Sequence, residues 1–183
     1  MQHLLNAGFP AVALAAAGTC RTAIPGVPNR VPDLAFLDCV SDNAANNLTV
    51  EVGSREYTTT AAAASGQANI VLDDVTGLAD GNVLLIFGAD GAAAIHPVIA
   101  SSGINSTTRT VTLTANLAAA LPAGSKVYLM RTHSTLTVGA AALRLGPVPF
   151  PGAILRGEKG MPMRLNLPVS SAGRIGAASA YMI

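Results

Sequence analysis

The three histidines, His3, His96 and His133, are the residues of this sequence best suited to acid–base chemistry. They lie far apart along the chain, and only His96 has other candidate catalytic residues near it, Asp90 and Ser101. A nucleophilic serine on a strained turn is typical of a G-x-S-x-G motif, and no such motif surrounds Ser101. The sequence therefore predicts packed or surface histidines and no catalytic residues.

The acidic stretch "DDVTGLADGNVLLIFGADG", residues 73–91, raises the question of a calcium loop or a phosphate-binding turn. An EF-hand loop needs carboxylates at alternate positions and a final glutamate, which Asp73, Asp74 and Asp80 do not provide. A phosphate-binding turn leads into a helix, whereas "NVLLIF" has the composition of a strand. We interpret "GLADG" as a turn between two strands. Asp73 and Asp74, if they lie on a strand, point to opposite faces.

Two cysteines, Cys20 and Cys39, are separated by 19 positions. A disulfide between them would close a loop of moderate length, and two buried thiols on neighbouring strands are the alternative. Neither cysteine belongs to a CxxC motif or lies near clustered histidines, so no metal site is expected. The sequence likewise suggests no cofactor.

Several segments could contact other proteins. Glu158 and Lys159, in "RGEKG", have the pattern of a solvated hairpin tip or of a contact with a neighbouring subunit. Proline-rich residues 24–32 and 145–152 predict stiff loops, and the second could also be a contact arm. The apolar residues 1–18 need cover, either from the core of their own domain or from an adjacent protein.

The composition is poor in charge. Charged residues make up 11% of the 183 residues and hydrophobic residues 50%, with a formal net charge of +1, whereas soluble domains carry about 25% charged residues. The longest apolar stretch, residues 7–18, is too short to span a bilayer and contains Pro10, so no membrane partner is expected. The nine arginines and two lysines are scattered, so nucleic acid is not an expected partner either. Such a composition is typical of a surface largely covered by partners.

Strand patterns recur at short spacing with Gly, Pro, Asn and Asp between them, which predicts an all-β sandwich or barrel. In residues 161–169, for example, apolar residues alternate with Arg164 and Asn166, which we expect on a wetter face. The middle of the chain has its own set of strands, and we predict that residues 58–132 are inserted into a domain formed by residues 1–57 and 133–183. The predicted strands are residues 19–24, 31–40, 48–54, 68–74, 82–88, 95–103, 109–115, 126–132, 141–148, 161–169 and 175–183.

Two segments resemble known virion elements. The segment "NIVLDDVTGLADGNVLLIFGADG…RTVTLTANLAAALPAGSKVYL", residues 69–129, resembles a small β-barrel module of tailed-bacteriophage virion proteins. The segment "ILRGEKGMPMRLNLP…IGAASAYMI", residues 154–183, is similar to the end of a jelly-roll-like β-sandwich in such proteins. The resemblance implies an all-β fold, a jelly-roll-like antiparallel β-sandwich with an inserted small β-barrel.

The resemblance also implies a function. It predicts a non-enzymatic capsid decoration or cement protein, located in the virion and assembled in the host bacterial cytoplasm. Its partners would be itself, as a homotrimer or array, and the major capsid protein or neighbouring virion proteins. A neck, tail or receptor-binding component is the alternative. A carbohydrate-binding module is more remote, because the chain has no tryptophan and 4% aromatic residues.

Overall fold

The protein consists of antiparallel β-strands and turns. The computed structural model describes residues 3–8, 12–14, 17–41, 47–87, 94–138, 143–145, 156–170 and 172–182. Within these ranges there is no helix, and therefore none with the length and hydropathy needed to cross a membrane. The prediction of an all-β, antiparallel fold is confirmed.

Within the described residues, the strands are β1 (His3–Gly8), β2 (Val12–Leu14), β3 (Gly18–Ile24), β4 (Val31–Ser41), β5 (Asn47–Thr58), β6 (Asn69–Val71), β7 (Leu84–Phe87), β8 (Ala94–Ile95), β9 (Ile99–Asn105), β10 (Thr110–Leu113), β11 (Lys126–Thr137), β12 (Leu143–Leu145), β13 (Met163–Val169) and β14 (Gly173–Met182). Most predicted strands coincide with one of these elements, but the strand predicted at residues 95–103 is divided between β8 and β9, and β1 and β2 were not predicted. Contacts divide the chain into two compact units, one formed by Met1–Gly53 with Arg131–Ile183 and the other by Ser54–Met130. The predicted organisation as host and insertion stays a prediction.

The first unit has two groups of paired strands. One has the order β1-β14-β4-β12, and β2 also pairs with β14. The second places β13 between β3 and β5. Residues 3–8 and 12–14 thus join a sheet of their own unit. The core receives alternate residues from both groups, because successive side chains of a strand point to opposite faces. Its buried members are Cys20, Ile24, Leu34, Leu37, Cys39, Leu48, Val50, Val52, Val138, Met163, Leu165, Leu167, Val169 and Ile175.

The second unit contains the three-stranded sheet β6-β10-β9 and the strands β11-β7-β8. Val111 and Leu113 of β10 are buried while their neighbours in the strand are partly exposed, as the alternation predicted. The strand β7 is buried along most of its length, as expected for its apolar sequence. The core consists of Tyr57, Ala63, Ile70, Leu72, Leu84, Ile86, Ile99, Val111, Leu113, Leu117, Leu121 and Val127.

Candidate interaction surfaces

One face of the β3-β13-β5 group carries polar side chains that sequence reasoning did not bring together. In the strand register, Arg164 lies opposite Glu51 of β5, and Asn166 lies opposite Arg21 of β3. The intervening Leu165 belongs to the core, so these four residues point away from it. We call Arg21, Glu51, Arg164 and Asn166 the polar face.

Two side chains of the polar face bind the same carboxylate oxygen of Glu51. Arg164 Nε donates to Glu51 Oε2 at 2.5 Å, and Asn166 Nδ2 donates to the same oxygen at 2.6 Å. The Arg164 side chain is 2% exposed and that of Glu51 is 16% exposed. Arg164 itself is therefore buried, although the face of β13 that it shares with Asn166 and Pro168 is the wetter of the two, as expected. A guanidinium can be buried to this extent when a carboxylate compensates its charge.

The charges of the polar face do not cancel, since two guanidinium groups accompany one carboxylate. Burial lowers the pKa of Arg21, repulsion from Arg164 lowers it further, and attraction by Glu51 opposes the change. Asn166 Oδ1 is buried, and within the described residues it accepts no hydrogen bond. The side chains that pair here are far apart in sequence, so alternation within a single strand carried no signal for the site.

A second polar region lies where the loop after β3 meets the turn before β13. Gly160 N donates to Arg30 O at 2.7 Å, and Gly157 N donates to Pro32 O at 2.8 Å. The two backbones approach so closely that a Cβ on Gly26 would lie 2.3 Å from Gly160 O. The stiff loop predicted at residues 24–32 and the predicted hairpin tip are thus neighbours.

This region gathers positive charge. Arg131 donates to the carboxylate of Glu158, and both side chains are about half exposed. Arg156 and Lys159 are also exposed, Lys159 in the turn and Arg156 three residues before it. Arg30 Nη1 is buried and has no hydrogen-bond acceptor within the part of the chain that the structure describes. We call Arg30, Arg131, Arg156 and Lys159 the basic tip.

The acidic residues of "DDVTGLADG" stabilise turns in the second unit. Asp74 Oδ1 accepts hydrogen bonds from Val75 N at 2.7 Å, Thr76 N at 3.0 Å and Thr76 Oγ1 at 2.8 Å. The bonds from Thr76 are the main cause that lowers the pKa of Asp74, and Arg55, 2.5 Å from Asp74 Oδ2, contributes less. Asp73 Oδ1 accepts from Thr58 N at 2.9 Å.

These contacts correct one expectation. The strand predicted over residues 68–74 ends at Val71, and Asp73 and Asp74 follow it in a turn. Short acidic side chains bond to nearby backbone N–H groups and so favour a turn over continuation of the strand. Asp80 acts similarly, since its Oδ2 accepts from Ser102 N at 2.7 Å. Within the described residues, no group of three or more His, Cys, Asp or Glu could hold a metal ion.

The remaining candidate residues lie in separate places. His3 is in β1, His96 is half-buried between β8 and β9, and His133 is exposed on β11. Ser101 is exposed on β9, and Asp90 lies outside the described residues.

The remaining candidates from the sequence are the two cysteines and the second proline-rich segment. Cys20 and Cys39 are buried thiols that no disulfide joins, and Cys20 Sγ lies 3.5 Å from Gly173 O. Of residues 145–152, only Leu145 is described.

Two neighbouring segments of the second unit contain no charged side chain. These segments are residues 57–72 and 110–125. They lie side by side, because Ala63 pairs with Leu121 and Gly66 N donates to Leu117 O at 2.8 Å. Exposed alanines of these paired segments make up what we call the alanine face: Ala61, Ala62, Ala64, Ala115, Ala118, Ala119, Ala120 and Ala123.

Known proteins provide little information about the fold or function of this chain. No family model matches the chain, and no curated protein matches it. Among solved structures, the chain is similar to VP17, a capsid protein of bacteriophage P23-77. The sequence identity is 9%, the alignment covers 98% of this chain and 100% of that chain, and the TM-score is 0.20. A likeness at this TM-score carries no argument about fold or function.

Proposed function

We propose that the chain is a non-enzymatic structural protein of a bacteriophage virion that binds a capsid surface and stabilises it. The proposal rests on the resemblance of residues 69–129 to a virion β-barrel module and on the all-β fold. The alanine face is the observation that carries it. An exposed surface without charge can be covered by a partner at little cost in lost hydration.

The mechanism is burial of surface between subunits. Small side chains such as those of Ala61 and Ala119 allow two backbones to approach closely and lose almost no side-chain entropy on contact. A specific interface buries about 1,600 Å² in total, which requires several segments of the chain. The protein would act as a homotrimer or array on the major capsid protein or on neighbouring virion proteins. In this proposal it is assembled in the bacterial cytoplasm and remains in the virion.

The test is to mix the purified chain with preformed bacteriophage capsid shells and to sediment the mixture. We expect the chain to sediment with the shells and to raise the temperature at which they break open. Ala119→Glu should abolish co-sedimentation, because it places a charge in the alanine face. Ala79→Glu is the matched control, since Ala79 is exposed in a turn outside that face.

Two outcomes would contradict this role. If the wild-type chain stays in the supernatant while intact virions contain it at low copy number, it is a neck, tail or receptor-binding component. If Ala79→Glu weakens co-sedimentation as much as Ala119→Glu does, the alanine face is not the contact surface.

A further inference from the structure

The basic tip is held in place by backbone contacts on both sides of Arg30. Arg30 N donates to Val27 O at 3.0 Å, and Arg30 O accepts from Gly160 N at 2.7 Å. Asn29, immediately before it, has a positive φ of 63° that fixes the turn. The side chain of Arg30 therefore starts from a defined position, and ordering this backbone adds no further cost when a partner binds.

Arg30 has hydrogen-bonding capacity that the described residues do not use. Its Nη1 is shielded from solvent and reaches no acceptor among them. A guanidinium N–H in that state has lost its hydration without compensation, so Arg30 is stabilised by a negative charge placed against the exposed part of its side chain. The rest of Arg30 is partly exposed, so a group from outside can approach it.

The charge balance around Arg30 favours the same kind of group. Leaving aside Arg156, which has a contact of its own, the side chains described in this region comprise three cations, Arg30, Arg131 and Lys159, and one carboxylate, that of Glu158. The positive charge that gathers here exceeds the formal net charge of the whole chain, which is +1. A partner with negative charge is therefore attracted to this end of the unit before contact.

We infer that the basic tip is a docking surface for an acidic segment of a neighbouring protein, with one carboxylate bound at Arg30. The contact between Arg131 and Glu158 shows within the chain itself that a guanidinium of this region binds a carboxylate. The inference rests on the structural role proposed above in one respect, namely that the partner is a protein. It adds the chemistry of the segment by which that partner binds.

A carboxylate fits this surface better than a nucleic-acid backbone does. Nucleic acid presents a row of phosphates, and proteins bind it with a stripe of cations, often with aromatic side chains between them. The basic tip is compact and centres on one buried N–H group, that of Arg30. None of its four members is aromatic.

The test uses a fluorescent octaglutamate peptide and the whole chain, with octathymidylate as a comparison of similar charge. Wild-type protein should bind octaglutamate more tightly than octathymidylate, and binding should weaken as salt rises from about 0.05 M to about 0.5 M. Arg30→Gln should weaken binding about tenfold or more, because it removes a charge-assisted bond at a partly buried position. Lys159→Gln should weaken binding about threefold, since Lys159 is exposed at the edge.

Lys126→Gln is the matched control, because it removes an equal charge from an exposed lysine of the other unit and should leave binding unchanged. Circular dichroism checks that the Arg30→Gln variant is folded. If that variant does not fold, the Lys159→Gln variant still tests whether the basic tip binds the peptide. The inference is wrong if wild-type protein does not bind octaglutamate, if octathymidylate binds equally well, or if Lys126→Gln weakens binding as much as Lys159→Gln does. Failure of shell co-sedimentation with intact peptide binding would instead count against the proposed function alone.

Discussion

The two compact units of this chain place their charged side chains differently. In the first unit, Arg164 is buried and held by Glu51. In the second unit, the buried polar residues within the described part are Thr59 and Ser125, and neither carries a charge. Its ion pairs, Arg55 with Asp74 and Lys126 with Glu56, are exposed. A buried charge pair therefore joins neighbouring strands in the first unit, whereas the ion pairs of the second unit lie at its surface.

The largest expected effect comes from Glu51→Gln. The substitution keeps the size of the side chain but removes the negative charge that Glu51 places against the buried Arg164 guanidinium, which costs about 3–5 kcal/mol of unfolding free energy. Urea denaturation measures the loss. Glu56→Gln is the matched control, because the contact of Glu56 with Lys126 is exposed and should contribute at most about 1 kcal/mol. Equal losses in the two variants would remove the difference between the units.

The second prediction compares two glycines that are required for different reasons. Gly26→Ala would push a methyl group against the backbone of Gly160, so we expect a loss of about 2–3 kcal/mol. Gly66 has a φ of 83° and open space around the position of a Cβ. Gly66→Ala should therefore cost only the strain of a left-handed backbone, about 1 kcal/mol. Thermal unfolding of both variants tests the order, and a smaller loss for Gly26→Ala would contradict the close approach.

The third prediction concerns Tyr128, a buried side chain of the second unit that is neutral at ordinary pH. Burial, reinforced by the nearby Glu56, raises the pKa of Tyr128 to about 12. The unfolded chain loses this proton near pH 10, so stability should be complete below that pH and fall by about 2 kcal/mol as the pH rises to about 12. Tyr128→Phe should remove this part of the alkaline slope in urea denaturation. An unchanged slope in the variant would contradict it.

The smallest effect is expected for Asp74, whose side chain is partly exposed at its turn. Hydrogen bonds from Thr76 hold the pKa of Asp74 below its ordinary value of 3.8. A lowered pKa stabilises the folded state above that value, and this stabilisation is lost as the pH falls through the lower folded-state pKa. Asp74→Asn should therefore show a slightly flatter dependence of its melting temperature on pH between about pH 5 and about pH 3. A steeper dependence would be inconsistent with these bonds.

The strands could be predicted because alternation is a local property of the sequence. Met163, Leu165 and Leu167 mark one face of β13 without any knowledge of its neighbours. The end of β6 could not be placed from alternation, because Asp73 and Asp74 do not continue an alternation of apolar and polar residues. Their side chains instead bond to nearby backbone groups. Local turn chemistry decided that boundary.

The polar face and the basic tip could not be predicted from the sequence. Glu51 and Arg164 are 113 positions apart, and their contact depends on the register in which β13 pairs with β5. A shift of one residue would turn Arg164 towards the core. Likewise, Arg30 and Lys159 look scattered along the chain, and only the backbone bonds between their two turns bring them together.

The absence of charge from the alanine face also determines how proteases act on the chain. Trypsin cleaves after lysine and arginine, and between Arg55 and Lys126 the only such residue is Arg109. Arg109 lies in the exposed turn before β10, where its guanidinium donates to Asp73 O at 2.9 Å. Digestion of the folded protein within this span therefore reports on the opening of a single turn, and the alanine face offers trypsin no site at all.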